Sequence, residues 1–322
     1  MPTSRGRITA RCPSFLNKSM LRCIKWVLII LLALVLALAG VVYIFLVEPR
    51  RLVTEEVEVA LNGWPQEADA VKVAVLTDLH ASAHEEKWLA RLVECIGEAK
   101  PEAVILLGDY FNALNPESAI TPQQLAEQLA PLANTCKVYY VCGNHDRGDI
   151  ARQLRRRFKQ KGFVCIENRD EEVAFSNGQK LILRGASHMP EASPGTHPYF
   201  GPWYKHRFGR NKLPLHTPLL AAVHSPYYFF KEELWADFAV AGHTHGGQIC
   251  LPGGEPLRAD DLWSKENTRA GMHRYKNNTP LYISRGVGLS RVPLRLFCPP
   301  ELSILVLKGT GRPLPHRAVS AP

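Results

Sequence analysis

The stretch with the most chemical potential is Gly242-His243-Thr244-His245-Gly246-Gly247, led in by the apolar Phe238-Ala239-Val240-Ala241. In an extended backbone residues i and i+2 point to the same side, so both imidazoles can face one point. The flanking glycines lack a Cβ and let the chain turn sharply against whatever the rings hold. Neutral imidazole is a common metal ligand, so the pair reads either as half of a metal site or as a surface His-Thr-His turn, and partners elsewhere decide between them. Asp78-Leu79-His80, Gly108-Asp109, Gly143-Asn144-His145-Asp146 and His224 each bring Asp, Asn or His directly after an apolar run. Singly, each has an ordinary structural reading: Asp78 as a helix cap, Gly108-Asp109 as a turn, His224 as a satisfied core histidine. Five such segments, all at the ends of predicted strands, are not explained that way.

The elements that must position these residues follow from hydrophobic patterning. Val71–Leu76, 103–107 and 137–141 are predicted strands, and 85–99, 122–134 and 149–161 are predicted helices. Strands spaced by helical patterns form βαβ units and an at least partly parallel sheet. Further strands are predicted at 172–175, 181–184, Leu219–Val223, Phe238–Ala241, 281–284 and 302–307. With no helices between them, they predict a second, mostly antiparallel sheet packed on the first. Ligands of open α/β sheets bind at the carboxyl ends of strands, which is where the polar segments fall.

The chain has 322 residues, 46% apolar and 21% charged, as in a folded protein of one large or two small domains. Its net charge of +9 is concentrated at the start, where residues 1–25 carry six basic and no acidic side chains, leaving +3 for the rest. A nearly balanced body removes the main support for polyanion binding, so no nucleic-acid partner is expected. Residues 26–47 are 22 in number and uncharged, and a helix of that length crosses the ~30 Å hydrocarbon core of a membrane. The competing reading is a cleaved signal peptide, with Ala37-Leu38-Ala39 as the cleavage site. Residues 41–47 prolong the apolar run beyond that point and favour an uncleaved anchor. The basic flank then puts the N-terminus in the cytoplasm and the body outside.

Eight cysteines form no CxxC pair and no zinc-ribbon spacing. Cys136 and Cys142 flank a predicted strand and lie too far apart to bridge. A Cys250–Cys298 disulfide has no support in the sequence. The resulting organisation is a basic tail (1–25), a transmembrane anchor (26–47), a connector with an edge strand (48–70), an α/β domain (71–308) and a disordered tail (309–322).

In this order the blocks Asp78-Leu79-His80, Gly108-Asp109, Gly143-Asn144-His145-Asp146, His224 and Gly242-His243-Thr244-His245 resemble the signature of the calcineurin-like metallophosphoesterase superfamily. The match runs from Asp78 to His245. The form Gly242 to Ile249, with Phe297-Cys298-Pro299-Pro300-Glu301 downstream, is similar to a bacterial membrane-anchored branch. One departure is Asn112, where many members carry an aspartate. The resemblance implies a four-layer α/β/β/α sandwich of two mixed sheets, here preceded by one N-terminal transmembrane helix. It implies two divalent ions (Mn, Fe or Zn). Asp78, His80 and His245 would hold one and Asn144, His224 and His243 the other, with Asp109 between them. Hydroxide generated at such a centre would attack phosphorus in line, His145 would protonate the leaving oxygen and Asp146 would orient His145.

The expected activity is therefore metal-dependent hydrolysis of a phosphodiester or pyrophosphate, with a lipid-linked substrate favoured by membrane tethering. Alternatives are a UDP-2,3-diacylglucosamine pyrophosphatase of lipid A synthesis, which needs a cytoplasmic site, and a catalytically inactive membrane scaffold. A nuclease is a weaker third. The aromatic stretches 198–204 and 226–230 read either as an apolar rim for a lipid or as loop packing. Lys205, His206, Arg207, Arg210 and Lys212, with the basic helix 152–161, read as headgroup contacts or a solvated face. His84, His188, His197, His206, His216, His273 and His316 are expected outside the site, with His188 the best of them for lining it.

Overall fold

The computed structural model describes residues 18–112, 115–186, 217–230, 236–258, 268–274 and 278–314. The chain divides into two units, Met1–Ile44 and Phe45–Pro322. The first contains helix α1 (Lys18–Val42), whose side chains from Ser19 onward are exposed although nearly all are apolar. A helix that is apolar on every side and unburied by protein suits hydrocarbon rather than water. The stretch Ser19–Arg50 is long and apolar enough to cross a membrane.

The second unit is built on two six-stranded sheets. In chain order the strands are β1 (Val53–Leu61), β2 (Val71–Leu76), β3 (Ala103–Leu106), β4 (Lys137–Tyr140), β5 (Val164–Cys165) and β6 (Arg169–Ala174). They continue as β7 (Lys180–Ala186), β8 (Leu219–Val223), β9 (Phe238–Ala241), β10 (Gly271–Arg274), β11 (Pro280–Ile283) and β12 (Glu301–Gly309). The helices are α2 (Glu86–Ala99), α3 (Pro122–Leu129), α4 (Gly148–Gln160) and the short α5 (Tyr227–Phe230). The first sheet runs β1-β12-β2-β3-β4-β5 and the second β10-β11-β9-β8-β7-β6. Strands β2, β3, β8 and β9 are buried on both faces, which is why they read as continuous Val, Ile, Leu and Ala runs rather than alternating ones.

Three apolar layers result. Val73, Val75, Ile105 and Leu305 of the first sheet meet Leu181, Leu183, Leu220 and Val240 of the second. Behind the first sheet, Leu89 and Leu92 of α2, Leu125 and Leu129 of α3, and Leu154 and Phe158 of α4 cover Ala74, Leu76, Val104 and Leu106. Phe229 of α5 covers Val223, Ala239 and Ile283 on the outer face of the second. This is the four-layer α/β/β/α sandwich. The packing reaches the polar segments through Tyr110, which follows Asp109. Its ring lies edge-on to Phe158 at 5.5 Å, and its hydroxyl donates to Val141 O at 2.8 Å.

Two expectations change. The second sheet is parallel in its interior (β7 with β8, β8 with β9, β9 with β11) and antiparallel only at its edges (β6 with β7, β10 with β11). Among the described residues, the return from β8 to β9 carries only the four-residue α5, too short to show the helical periodicity that announces a crossover. The last predicted strand, β12, joins the first sheet instead, between β1 and β2, parallel to β1 and antiparallel to β2.

A third element, unannounced by the sequence, is the loop between β11 and β12. Arg295 is fully buried there and donates from Nη2 to Arg285 O (2.9 Å), Gly286 O (3.1 Å) and Gly288 O (2.8 Å), and from Nη1 to Cys298 O (2.9 Å). One guanidinium thus ties the two ends of the loop by their carbonyls, while Gln248 Nε2 holds its middle at Val292 O (2.8 Å) and Leu294 O (2.9 Å). The loop in turn braces the first polar segment, since Val287 N donates to Thr77 O (3.1 Å) and Gly288 N to Asp78 O (2.7 Å). Arg295→Met removes every one of those donors and leaves buried carbonyls unpaired, so a loss of about 3 kcal/mol or more is expected. Thermal unfolding of the full chain should show the midpoint falling by roughly 6–12 °C; a shift within error would mean that the loop holds itself.

Candidate metal centre

Each polar segment leaves the carboxyl end of a parallel strand: Asp78 after β2, Asp109 after β3, Asn144 after β4, His224 after β8 and His243 after β9. The strands stop in step, and the segments stack on one another through their backbones. Asp78 N donates to Gly108 O (3.0 Å), His80 N to Asp109 O (2.9 Å) and Gly242 N to His224 O (2.9 Å). The stacking is too close for side chains at the glycines. A Cβ on Gly242 would sit 2.1 Å from Thr77 Oγ1 and 2.5 Å from Asp78 Oδ2, and one on Gly143 would sit 2.1 Å from Asp109 Oδ1. The backbone is also bent out of its usual range. Asp78, His80, Asp109, His243 and His245 all have φ between 42° and 72°, a conformation that Asp and His tolerate better than most residues but that still costs free energy.

The side chains converge in two overlapping groups. In one, His80 Nε2 faces His245 Nε2 at 3.1 Å, and His245 Nε2 lies 3.7 Å from Asp78 Oδ1. In the other, His224 Nε2 lies 3.0 Å from Asn144 Oδ1, 3.1 Å from His243 Nδ1 and 3.3 Å from Asp109 Oδ2. Asp109 Oδ2 also stands 3.6 Å from His80 Nε2 and 3.8 Å from His145 Nε2, between the two groups. Asp78, His80 and His245 form one set of potential ligands and Asp109, His224 and His243 another, while His80, Asp109 and His145 form a third that overlaps both. Of these residues Asn144, His145 and His243 are more than slightly exposed, with the His145 side chain 30% accessible.

The donor set fits cations. Asp78 Oδ1 and His245 Nδ1 are buried with no hydrogen-bond partner, and an unpaired carboxylate oxygen is costly to bury unless a positive charge faces it. Burial lowers the pKa of His80 to about 4 and of His243 to about 3, so their rings are neutral and offer lone pairs. Burial also lifts the Asp78 carboxyl to about 6. His224 differs: burial pulls it down, but Asp109 and then Asp78 outweigh that and raise it to about 9. The carboxylates therefore favour positive charge at His224, and metal binding there would require the neutral ring. His224 Nδ1 is already committed to Leu107 O at 2.8 Å, which fixes the ring and leaves Nε2 for the site. Asp and Asn oxygens mixed with imidazoles suit divalent ions such as Mn, Fe or Zn, and two overlapping sets make the centre dinuclear.

The expected partnership of Asp146 with His145 is not what the structure contains. Asp146 is buried, and its carboxylate accepts from three backbone amides: Asp109 N (2.7 Å), Gly143 N (2.8 Å) and Tyr110 N (2.9 Å). Those amides project from the loops after β3 and β4 and capture the carboxylate before a ring can. Asp146 thus ties the two loops together, and His145 is held through its own backbone, N donating to Asp109 Oδ1 at 2.8 Å. Asn112 donates from Nδ2 to Ser82 Oγ (3.3 Å). His84 is exposed, and His273 Nε2 pairs with Arg269 O (2.8 Å), so neither joins the centre. His188, His197, His206, His216, His316, the aromatic stretch 198–204 and the basic residues Lys205 to Lys212 lie outside the described residues. Within 226–230, Phe229 is core and Tyr227 is half-buried.

A variant separates these roles. Asp146→Ala frees three buried amides and should both destabilise the chain by about 2–4 kcal/mol and lower its metal content well below two ions, as read by elemental analysis of dialysed protein. If Asp146→Ala instead left metal content and stability intact and changed only turnover, the orienting role would be restored.

Residues 71–247 match the family model for calcineurin-like phosphoesterases. The chain is 27% identical over 280 residues to the uncharacterized metallophosphoesterase YkuE of Bacillus subtilis, covering 84% of this chain and 91% of YkuE. It is also 27% identical over 256 residues to the phosphodiesterase YaeI of Escherichia coli, covering 77% and 86% respectively. Among solved structures, TT1561 of Thermus thermophilus aligns with a TM-score of 0.44 at 8% identity, over 68% of this chain and 90% of its own. The family match takes in more than half of the chain and includes every converging residue from Asp78 to His245, so the chain belongs to the calcineurin-like phosphoesterases, as a metal-dependent hydrolase with a dinuclear centre.

Proposed function

We propose that this chain is a membrane-anchored phosphodiesterase or pyrophosphatase of the bacterial membrane-anchored branch, acting on a phosphate ester that carries an apolar, lipid-linked group. The observation that carries the reading is a cavity of 290 Å³ bordering the centre at His80. Val287, Leu289, Val292, Pro293 and Pro49 give it apolar walls, and Ser82, Glu85, Asn112 and Arg50 a polar rim. Arg50 is steadied there by Glu85 (2.7 Å) and by the Trp88 ring beneath its guanidinium. A monoester has one organic substituent, whereas a diester or a substituted pyrophosphate has two that need places. The cavity at His80 accepts one, and the solvent-facing side at His145 leaves room for the other. The printed name of the Escherichia coli relative, a phosphodiesterase, points the same way.

In this reading Asp78, His80 and His245 would hold one ion and Asn144, His224 and His243 the other, with Asp109 as a further ligand available to either. The two ions, when bound, supply Lewis acidity that lowers the pKa of water and offsets phosphoryl charge. Asp109 and Asp78 provide the negative charge that retains them. His145, the accessible ring beside Asp109, carries a proton at Nε2 to the leaving oxygen. The N-terminus is cytoplasmic and the domain at 71–308 extracytoplasmic, with 1–25 as the basic flank, 26–47 as the uncleaved anchor, 48–70 as connector and edge strand, and 309–322 as a tail.

His145→Ala should keep about two ions per chain while kcat falls roughly 10²–10⁴-fold. Assayed on a lipid pyrophosphate, an apolar diester and a monoester, the wild type should prefer one of the first two in kcat/KM by at least about tenfold, which corresponds to about 1.4 kcal/mol. Preference for the monoester would sink the reading. Orientation has its own test: alkaline phosphatase fused to the C-terminus should be active in cells. An inactive fusion, with a C-terminal fluorescent protein bright, would put the site in the cytoplasm and favour the lipid A pyrophosphatase.

A further inference from the structure

Behind the metal loop lie two cysteines that the phosphoesterase chemistry does not use. Cys250 and Cys298 are both buried, 3% and 2% exposed, and both are free thiols. They come from segments that run side by side: Ile249 and Leu296 form a parallel bridge, Cys250 N donates to Leu296 O (2.8 Å), and Leu296 N donates to Gln248 O (3.0 Å). Their thiols converge on one backbone oxygen. Cys250 Sγ donates to Gly246 O at 3.2 Å, and Cys298 Sγ lies 3.3 Å from His245 O and 3.7 Å from Gly246 O. The carbonyls they touch belong to His245, a candidate metal ligand, and to Gly246 beside it, in the turn His245–Gly247 where the backbone is forced to positive φ. The backbone of both segments is already pinned, Cys298 N donating to the buried Glu48 Oε1 at 2.9 Å.

We propose that Cys250 and Cys298 are the site of a disulfide cross-link that locks the His245–Gly247 turn of the metal centre to the segment entering β12. The bond forms by exchange with a small disulfide oxidant. One cysteine thiol loses its proton and attacks a sulfur of the oxidant, expelling one thiolate and leaving a mixed disulfide. The second cysteine thiolate attacks the protein sulfur of that mixed disulfide and expels the other half. The cysteine pair gives up two protons and two electrons, and the oxidant becomes two thiols. The loop so closed is long, and a cross-link across a long loop removes much unfolded-state freedom. It also fixes the turn that presents His245, so metal held there should leave more slowly.

The inference rests on packing alone and stands whether or not the substrate is a lipid. Its test uses the full chain in detergent, equilibrated with oxidised glutathione both after refolding from denaturant and, in parallel, as the folded protein about 10 °C below its unfolding midpoint, near enough to open buried segments. Free thiols are then blocked with iodoacetamide and the protein is digested without reductant. Mass spectrometry is expected to find the Cys250 peptide joined to the Cys298 peptide, two hydrogens lighter than the sum of the pair. Dithiothreitol should then lower the unfolding midpoint by roughly 5–10 °C and speed metal loss to a chelator roughly tenfold. It should do neither in the Cys250→Ala/Cys298→Ala variant. Alkylation of both residues by either route, pairing of either with another cysteine, or an equal response to reductant in the double variant would overturn the proposal.

Discussion

The carboxylate of Asp109 is the interaction on which the rest of the centre depends. It is 2% exposed, and every group around it is arranged with respect to its charge. Oδ1 takes the amide of His145, and Oδ2 faces His224, His80 and His145 between 3.3 and 3.8 Å. Its own amide reaches back to Asp146. Burial works against its ionisation, yet His224 and then His80 and His145 hold it well below the usual carboxylate range. An ionised group in a dry pocket must be matched by positive charge, and removing the match costs about 3–5 kcal/mol. The rings of His224, His80 and His145 face it, and a bound cation would supply that match. The electrostatics of the fold therefore ask for cations at the place where phosphoryl charge must later be offset.

Holding that arrangement strains the backbone. Five of the converging residues lie at positive φ, and such residues persist only where surrounding structure over-determines them. Here the surroundings are three: the strands that end together below, the amide-to-carboxylate ties through Asp146, and the loop gathered by Arg295 from the side. The glycines at 143 and 242 are part of the same constraint, since any Cβ would displace Asp109 or Asp78 by steric contact. Sheets, loop and glycines thus act on a few atoms, and the helices matter to the centre chiefly through contacts such as Phe158 against Tyr110.

Much of this was legible before the structure, because the legible features depend on local chemistry. Strands β2, β3, β4, β8 and β9 announced themselves as apolar runs, and their carboxyl-end residues as Asp, Asn and His in order. What was illegible depends on choices among distant partners. Asp146 sits beside His145 in sequence, which invites pairing them, but three amides from folded loops compete better for its oxygens. Arg295 is one arginine in an irregular stretch, and only the folded loop shows its carbonyl partners. The parallel interior of the second sheet was hidden because its described return between β8 and β9 has only a four-residue helix. β12 was misassigned since a strand's sequence does not say which of two sheets has a gap.

The two sides of the centre are chemically unlike, and that asymmetry bears on how the hydrolase divides its work. The cavity beside His80 has apolar walls, with Val287 2% exposed and Leu289 and Pro293 beside it, under a polar rim. At His145 the surroundings are open to water. A substituent that prefers hydrocarbon gains free energy by entering the first side, at about 25 cal/mol per Å² of apolar surface removed from water. A departing polar group loses nothing by leaving through the second. On the proposed reading, binding on one side and release on the other would let a single ester keep its apolar part in place while the bond to phosphorus is cut at the wet edge. On the proposed reading, the position of His145 at that edge, more open than His80, His224 or His245, is what such a division would require of a proton donor, because the ring would have to meet solvent again to be reprotonated after each turnover.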